Sequence, residues 1–410
     1  MNDKFSSQLP SLANEIWTPC DKDKDNCLSR KEVDLAMLDP AITGQRAAAL
    51  ATVKKSFDWL SGLCSSDHSK HASVTHADMD KLIENEGTAK YLASEKFFHD
   101  AQNNLNNYEH KTFSKANYNE PSKDDPVQGP LEDCYLISAL SDFAAKRPEI
   151  IKRLISEDKS TDSYKVDFQF GKEHLAMLIP KPTESAIAYY RTQVDWPLAI
   201  QCAYGRFLKQ LTTQLKPAER KTLLQLHGLS KNHKPSTLDQ DNLTGGGYPM
   251  TTMMILGGSL GARHLIWNEP LSTTDQEKLT KVLESGIIGS SPAVATTAAG
   301  DSIYNLGLIP NHAYSIVDYI PDTHMVRIRN PYGNLTTVPS NSDLINVNGA
   351  GEIDVPFEKF IKAFEDINIY YDRPAEKSDK AFAAIKPVTN KKTKKLDLCL
   401  HSLDNPVSDP

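Results

Sequence analysis

Four residue types that together perform thiol chemistry occur along the chain in the order glutamine, cysteine, histidine, asparagine. Cys134 follows Asp133, a residue type favoured just before a helix, and Leu136, Leu140 and Phe143 recur after it with helical spacing. The pattern predicts a helix that begins at or near Cys134, where the positive end of the helix dipole favours the reactive thiolate. A lone cysteine is more often a small buried apolar residue, so its partners decide the interpretation.

Gln128 lies six residues before Cys134, on the loop that leads into the predicted helix. Pro130 marks the turn between the two residues. The side-chain amide of Gln128 is predicted to point back toward the cysteine and donate a hydrogen bond to a developing oxyanion.

A histidine and an asparagine are predicted to meet on a hairpin far downstream. Two runs rich in β-branched and aromatic residues flank Pro321 and Asp322, which form a turn signal. His312 and Asn330 are nearly equidistant from this turn, so folding makes them cross-strand neighbours. An asparagine beside a histidine can hold one ring nitrogen and direct the other toward a nucleophile. With Cys134, the pair forms the nucleophile, base and orienting group of a cysteine hydrolase.

A polar loop near the N-terminus has the spacing of an EF-hand calcium site. Its predicted ligands stand at positions 1, 3, 5, 7, 9 and 12 of the pattern: Asp21, Asp23, Asp25, Cys27, Ser29 and Glu32. Asn26 occupies the sixth position, which needs a left-handed backbone, and Leu28 at the eighth can pair with a partner loop. The alternative interpretation is a solvated acidic turn, and the number of matched positions favours calcium.

A second loop, residues 67–78, matches the same pattern less well. It offers Asp67, Ser69, His71, Thr75 and Asp78, with Val74 at the eighth position. The sixth position is an alanine, and the twelfth is the short Asp78 instead of a bidentate glutamate. We therefore expect a degenerate partner that packs against the first loop.

Composition narrows the class of protein. The chain has 410 residues, enough for two or three domains, and 46 basic against 53 acidic residues give a net charge of −7, which makes nucleic acid a poor partner. No run approaches the roughly 18 apolar residues of a membrane span. Six scattered cysteines and no recognisable signal sequence predict reduced thiols and a cytoplasmic location, with export by a route without a cleavable signal left open.

Several ordered motifs resemble the calpain family of papain-like cysteine proteases. Residues 128–135 resemble the family's QGxLGDCW, residues 312–315 its HAYS, and residues 327–333 its RxRNPWG. Residues 196–204 are similar to its WPxLLEKAY helix, and residues 242–247 to its substrate-lining LSGG. The order of these motifs makes the resemblance specific.

The resemblance implies an α+β fold, with a two-lobed papain-like calpain core preceded by a small all-α EF-hand domain. The expected domains are an EF-hand pair over residues 1–95, a lobe carrying the nucleophilic cysteine over 98–240, a lobe carrying histidine and asparagine over 241–373, and a flexible tail over 374–410. The active site is expected in the cleft between the lobes.

The implied activity is limited cleavage of protein substrates by an intracellular cysteine endopeptidase, with calcium as cofactor. Cys134 is the implied nucleophile, His312 its proton partner, Asn330 the orienting residue and Gln128 an oxyanion donor. Three further residues are implied to bind substrate: Gly245, Gly246 and Asn311.

Some positions depart from the family pattern. Tyr332 replaces a tryptophan that shields the histidine–asparagine hydrogen bond, and Asn311 replaces a glycine that approaches the substrate. Two other functions stay open, namely a thiol acyltransferase or amidase, and a calcium-responsive binding module on an inactive protease fold. The sequence indicates neither an oligomeric state nor whether activity requires calcium.

Overall fold

Helices and antiparallel strands alternate along the chain, which gives the α+β class that the sequence predicts. None of the helices described is both long and apolar enough to cross a membrane. This computed structural model describes residues 5–64, 73–110, 112–113, 120–170, 173–214, 235–258, 262–266, 273–284, 287–333, 344–347, 349–371, 386–390 and 395–399.

The N-terminal region is a cluster of helices joined by one small sheet. Its helices are α1 Phe5–Cys20, α2 Arg30–Ala36, α3 Gly44–Lys55, α4 Phe57–Leu60, α5 His76–Glu84 and α6 Ala89–Asn107. Strands β1 Cys27–Ser29 and β2 Ser73–Thr75 pair antiparallel, with Leu28 opposite Val74. Both side chains are buried, so the two polar loops pair through their eighth positions as the sequence predicts. Residues 65–72, which carry the other predicted features of the second loop, lie outside the described residues.

The next region packs helices against a three-stranded sheet. Its helices are α7 Cys134–Lys146, α8 Pro148–Leu154, α9 Glu184–Tyr190, α10 Asp195–Gln214, a 3-10 helix Gln240–Leu243, and α11 Pro249–Gly257. Its strands, in sheet order, are β3 Ile155–Asp158, β4 Ser163–Phe170 and β5 Glu173–Pro180. Helix α3 packs against α6 and α9, and one continuous apolar core joins this region to the N-terminal helices.

A seven-stranded antiparallel sheet follows, with a second apolar core. The order across the sheet is β10 Ile345–Asn346, β11 Glu352–Pro356, β9 Met325–Arg329, β8 Ala313–Ile320, β7 Ala293–Thr297, β12 Phe364–Tyr370 and β6 Ala262–Ile266. Its helices are α12 Thr273–Glu284, α13 Ile287–Ser290, α14 Asp301–Asn305 and α15 Phe357–Ala363. Strands β8 and β9 form the predicted hairpin, and their turn is a short 3-10 helix, Pro321–Thr323.

The expected domain boundaries stay predictions. Helix α6 runs through residues 95–98, where the first boundary is expected. Within the predicted tail, strands β13 Lys386–Asn390 and β14 Lys395–Cys399 pair antiparallel.

Candidate active site

Cys134 is the first residue of α7, as the apolar spacing predicts. Burial has the largest effect on its thiol and raises the pKa of Cys134 to about 11, although N–H groups of Ala313, Tyr135 and Cys134 itself favour the thiolate. The N–H groups at the helix terminus thus favour the thiolate, as the sequence predicts, but desolvation exceeds their effect. The thiol needs a base.

His312 stands just before strand β8 and is enclosed by the hairpin that carries it. Its Nε2 lies 3.1 Å from Oδ1 of Asn330. The ring of Tyr332 stacks on the imidazole at 5.2 Å between centroids, and Tyr314 meets it edge-on at 5.0 Å. Burial lowers the pKa of His312 to about 4, and the hydrogen bond to Asn330 opposes this only in part. The imidazole is therefore neutral at pH 7.

The hydrogen bonds of Asn330 decide which nitrogen of His312 carries the proton. The main-chain N–H of Tyr332 donates to Oδ1 of Asn330 at 3.1 Å, which identifies this atom as the oxygen of the amide. Since Oδ1 can only accept, Nε2 of His312 must donate to it. The lone pair is then on Nδ1, and this nitrogen is the basic position of the ring.

Thr297 fixes the main chain of His312, a role that sequence reasoning missed. The hydroxyl Oγ1 of Thr297 accepts from His312 N–H at 3.0 Å, and Thr297 N–H donates to the His312 carbonyl at 3.0 Å. Thr297 is fully buried at the end of β7. It lies in an apolar strand, where a threonine carries no chemical signal.

Two serines join the thiol half of the site to the imidazole half. Ser138, one turn after Cys134 on α7, donates its hydroxyl to the Ala313 carbonyl at 2.9 Å. In turn, the hydroxyl of Ser315 donates to the Ser138 carbonyl at 2.9 Å. Both serines are buried. This reciprocal pair holds α7 on β8, and the N–H of Ala313 thereby reaches the sulfur of Cys134.

Gln128 braces the loop that leads into α7. Its Nε2 donates to the carbonyl of Leu131 at 2.6 Å, and its main-chain N–H donates to the carbonyl of Pro331 at 2.8 Å. The side chain is buried, and the hydrogen bond found for its amide goes to the loop itself and not to Cys134. Its predicted role at the oxyanion stays a prediction, for which the second hydrogen on Nε2 is the available donor.

Asp133 is the N-cap residue of α7, as the sequence predicts, but its side chain makes no capping bond. No side-chain capping bond forms at Asp133, whose Oδ2 accepts instead from Nε2 of Gln201 at 2.7 Å. Its main-chain carbonyl receives the N–H groups of Leu136 and Ile137. Burial raises the pKa of the Asp133 carboxyl to about 6. Gln201 is thus a neighbour of the site that the sequence did not single out.

The residues implied to bind substrate lie on both sides of the site. Gly245 and Gly246 have φ values of 102° and 84° and face open space. The next residue, Gly247, packs on Tyr135, since a Cβ there would lie 2.6 Å from Cε2 of that ring. This glycine loop therefore adjoins the residue that follows Cys134. Asn311, exposed and with φ 50°, adjoins His312 on the other side.

The acidic loop brings three of its six predicted ligands together. Carboxylate oxygens of Asp21, Asp23 and Asp25 lie within 4.8 Å of one another. Oδ2 of Asp21 accepts from the N–H of Asn26, which has the predicted left-handed backbone with φ 61°. Oδ1 of Asp21 is buried without a hydrogen-bond partner in the described part of the chain. A buried, unpaired carboxylate oxygen beside two more carboxylates suits a hard cation.

The other three predicted ligands form the entrance to α2. Cys27 and Ser29 lie on β1, and Ser29 and Glu32 form a reciprocal helix cap. The carboxylate of Glu32 also accepts from Lys22 N–H at 2.9 Å, which closes the loop. Burial raises the pKa of Glu32, but its hydrogen bonds from Ser29, Lys22 and Asp23 together lower it by more.

Asp78 closes the second loop as Glu32 closes the first. It accepts from the N–H groups of Cys64 and Thr75, each at 2.8 Å, and from the Thr75 hydroxyl at 2.6 Å. These bonds show that the twelfth position has a structural use in this loop.

A scan of the chain against models of known protein families matches none of them. The chemistry of the site therefore follows from the groups that it contains. These are a buried thiol at a helix N-terminus, a neutral imidazole with its basic nitrogen identified, and an amide and a tyrosine that hold the ring.

Proposed function

We propose that the protein is a calpain-like cysteine endopeptidase with a papain-like fold, which makes limited cuts in protein substrates in the cytoplasm. The observation that carries the proposal is the fixed tautomer of His312, whose Nε2 is held by Asn330 while Nδ1 stays basic. The residue after His312 donates to the sulfur of Cys134. The ordered motifs that resemble the calpain family assign the same roles to these residues.

The proposed reaction begins from a neutral thiol beside a neutral imidazole. Nδ1 of His312 takes the proton of Cys134 as the sulfur attacks the scissile carbonyl carbon, and the π electrons move onto the carbonyl oxygen. The main-chain N–H of Cys134 and the amide of Gln128 stabilise this oxyanion. Proton transfer and attack occur together, because neither a thiolate on Cys134 nor an imidazolium on His312 is stable alone in a buried site. The two groups therefore titrate as a pair.

Collapse of the tetrahedral intermediate breaks the carbon–nitrogen bond. The imidazolium of His312 gives its proton to the leaving amine, and the acyl group stays on the sulfur of Cys134. A water molecule then loses a proton to His312 and attacks the thioester, which releases a carboxylic acid and restores the thiol. Tyr332 and Asn330 keep the ring in one orientation throughout both steps.

We further propose that residues 21–32 form an EF-hand calcium site, with residues 67–78 as a degenerate partner. Asp21, Asp23 and Asp25 would hold the ion, with the Cys27 main-chain carbonyl and Glu32 nearby, and the unpaired Oδ1 of Asp21 supports this. A bound calcium ion would balance the negative charge of the three close carboxylates. It would take no part in bond cleavage.

The test is covalent labelling of the full chain with a peptidyl epoxide, with calcium and with chelator, followed by mass spectrometry of the adduct. Modification of Cys134, with cleavage of labelled casein by unmodified protein, is the expected result. Cys64→Ser is the matched control, because Cys64 is exposed and contacts Asp78 in the N-terminal region. Folded protein that is never labelled at Cys134 would contradict the proposal and favour a binding module on an inactive protease fold. Casein joined to an added amine, without hydrolysis, would favour an acyltransferase.

A further inference from the structure

A buried lysine connects the N-terminal helices to the glycine loop beside Cys134. Nζ of Lys54, on α3, lies 2.7 Å from Oδ1 of Asp34 and 2.6 Å from Oδ2 of Asp241. The three side chains are only 6%, 7% and 17% exposed. Lys54 thus bridges two carboxylates that come from distant parts of the chain.

The carboxylate of Asp241 is held at both oxygens. While Oδ2 receives Lys54, Oδ1 accepts from the hydroxyl of Tyr190 at 2.9 Å. Nζ of Lys54 also lies 5.1 Å above the ring of Tyr189. Charge-assisted bonds of this length fix orientation strongly, because each partner has few alternative positions in a buried setting.

Asp241 belongs to the part of the chain that lines the proposed substrate site. It lies in the 3-10 helix Gln240–Leu243, which leads directly into Gly245 and Gly246. The carbonyl of Leu243 accepts from the hydroxyl of Tyr135 at 3.4 Å, so the same short helix also contacts the residue after Cys134. A shift of Asp241 would therefore move the glycine loop relative to the thiol.

Tyr190 links the same contact to the loop that carries Gln128. A Cβ at Gly129 would lie 2.5 Å from the carbonyl oxygen of Tyr190, so the end of α9 presses directly on this loop. The hydroxyl of Tyr190 also donates to Asp241. The end of α9 thus contacts the loop that carries Gln128 and the short helix that leads into the glycine loop.

Asp34 belongs to the helix that follows the acidic loop. Helix α2 begins at Arg30, is capped by Ser29 and Glu32, and carries Asp34 two residues after Glu32. Glu32 both closes the acidic loop and lies in the first turn of α2, so one helix joins that loop to Asp34. A buried ion pair is seldom better for stability than an apolar contact, so its use here is better explained by the geometry that it fixes.

We infer that Lys54 is a positioning residue for peptide binding, which holds the Gly245–Gly246 loop through Asp241 and links it to the acidic loop through Asp34. The inference rests on the proposed protease function. It assigns the N-terminal helices a role in regulating that site. By thermodynamic reciprocity, peptide bound at the glycine loop must then alter the affinity of the acidic loop for calcium.

The first experiment measures the two constants of epoxide labelling at Cys134, the apparent dissociation constant and the maximal rate. Asp241→Asn keeps the shape of the side chain and its bond to Tyr190 but weakens the ion pair with Lys54. We expect the dissociation constant and the casein KM to rise about 5- to 20-fold, with the maximal labelling rate and kcat within two-fold of wild type. Lys96→Met, which removes a lysine from an exposed pair on α6, is the control and should change neither.

The second experiment tests the link to the acidic loop by calorimetry. Calcium is titrated into wild-type protein before and after covalent labelling with the epoxide, and the two affinities should differ by about 3-fold or more. In Asp34→Asn the difference should vanish, while the Asp34→Asn protein keeps the wild-type maximal labelling rate. Lys54→Arg, which keeps the charge, should preserve most of the difference, and Lys54→Met should lose it.

The outcomes separate this inference from the proposed function. If wild-type protein is never labelled at Cys134, the proposed protease function is wrong. Wild-type protein that is labelled, with an unchanged dissociation constant in folded Asp241→Asn, overturns the role of Lys54 alone. Equal calcium affinities before and after labelling of wild type overturn the link through Asp34.

Discussion

The two halves of the candidate site are held in different ways. The imidazole half is local, because His312 and Asn330 are 18 residues apart on one hairpin and Tyr332 at its end covers the ring. The thiol half depends on distant segments, since the neighbours of Cys134 include Ala313 on β8. Short-range strand pairing can therefore orient a base, whereas tertiary packing sets the pKa of a thiol.

Burial shifts the pKa values of Cys134 and His312 in opposite directions for the same physical reason. It raises the pKa of the Cys134 thiol to about 11 and lowers the pKa of His312 to about 4, because both charged forms lose solvation. The two groups therefore stay neutral together. In the proposed reaction, charge separation between them must accompany attack on the substrate.

Removing the thiol is expected to have the largest effect. Cys134→Ala should lower casein cleavage by roughly 10⁴-fold or more, because the Cys134 thiol forms the acyl intermediate of the proposed reaction. The rate is measured with protein whose fold is checked by circular dichroism. Cys64→Ser should cleave at the wild-type rate, and residual activity in Cys134→Ala above about 1% would show that the nucleophile is misassigned.

The neutral state of His312 predicts a loss of stability in acid. Its folded pKa of about 4 lies below the ordinary 6.5, so between these values the unfolded chain binds a proton that the folded chain does not. The contribution of His312 is present above pH 6.5 and is lost as the pH falls toward 4, by about 3 kcal/mol in total. Urea unfolding at pH 7 and pH 4.5 measures it as the difference between wild type and His312→Gln.

The comparison with His312→Gln is needed because buried carboxylates change the pH dependence of stability in the opposite direction. Burial raises the pKa of Asp125, Asp133 and Asp142 to about 6 each, so their protonation favours the folded state in acid. Comparing wild type with His312→Gln cancels their effect. Equal pH dependence in the two proteins would mean that His312 has the same pKa in the folded and the unfolded chain.

Removing the orienting amide should weaken turnover without abolishing it. Asn330→Ala deletes the hydrogen bond to Nε2 of His312, and we expect casein cleavage to fall about 10- to 100-fold, mainly in kcat. Tyr332 still stacks on the ring, which preserves part of its orientation. An unchanged kcat in Asn330→Ala would show that the hairpin alone orients the imidazole.

Loosening the junction between the halves should have the smallest effect. Ser138→Ala leaves the carbonyl of Ala313 without this donor, and we expect about 1–2 kcal/mol lower stability and about 5-fold slower cleavage. Ser315→Ala should behave alike, because it removes the reciprocal bond. A double-mutant cycle between the two serines measures their coupling. Strict additivity would show that the two bonds act independently.

Several features of the molecule could be predicted from sequence because they depend on short-range rules. The hairpin follows from alternation and from the turn signal at Pro321, and it alone brings His312 to Asn330. The left-handed backbone of Asn26 follows from its position in the acidic loop. The pairing of Leu28 with Val74 follows from the matched positions of two similar loops.

Other features were decided only by the tertiary structure. The side chain of Asp133 accepts from Gln201 and the amide of Gln128 donates to Leu131, because buried polar groups bond to the partners that packing brings to them. Sequence spacing describes neighbours along one element and contains no information on which distant group reaches a buried polar atom.

The sequence by itself therefore determined the chemical types at the site, their order along the chain and the meeting of His312 with Asn330. The tertiary structure determined the protonation of Cys134 and His312 and the bridge from Lys54 to Asp241. Both depend on burial and on contacts between segments far apart in the chain. The free energy of a buried charge depends on everything packed around it, whereas a turn or a helix start depends on a few adjacent residues.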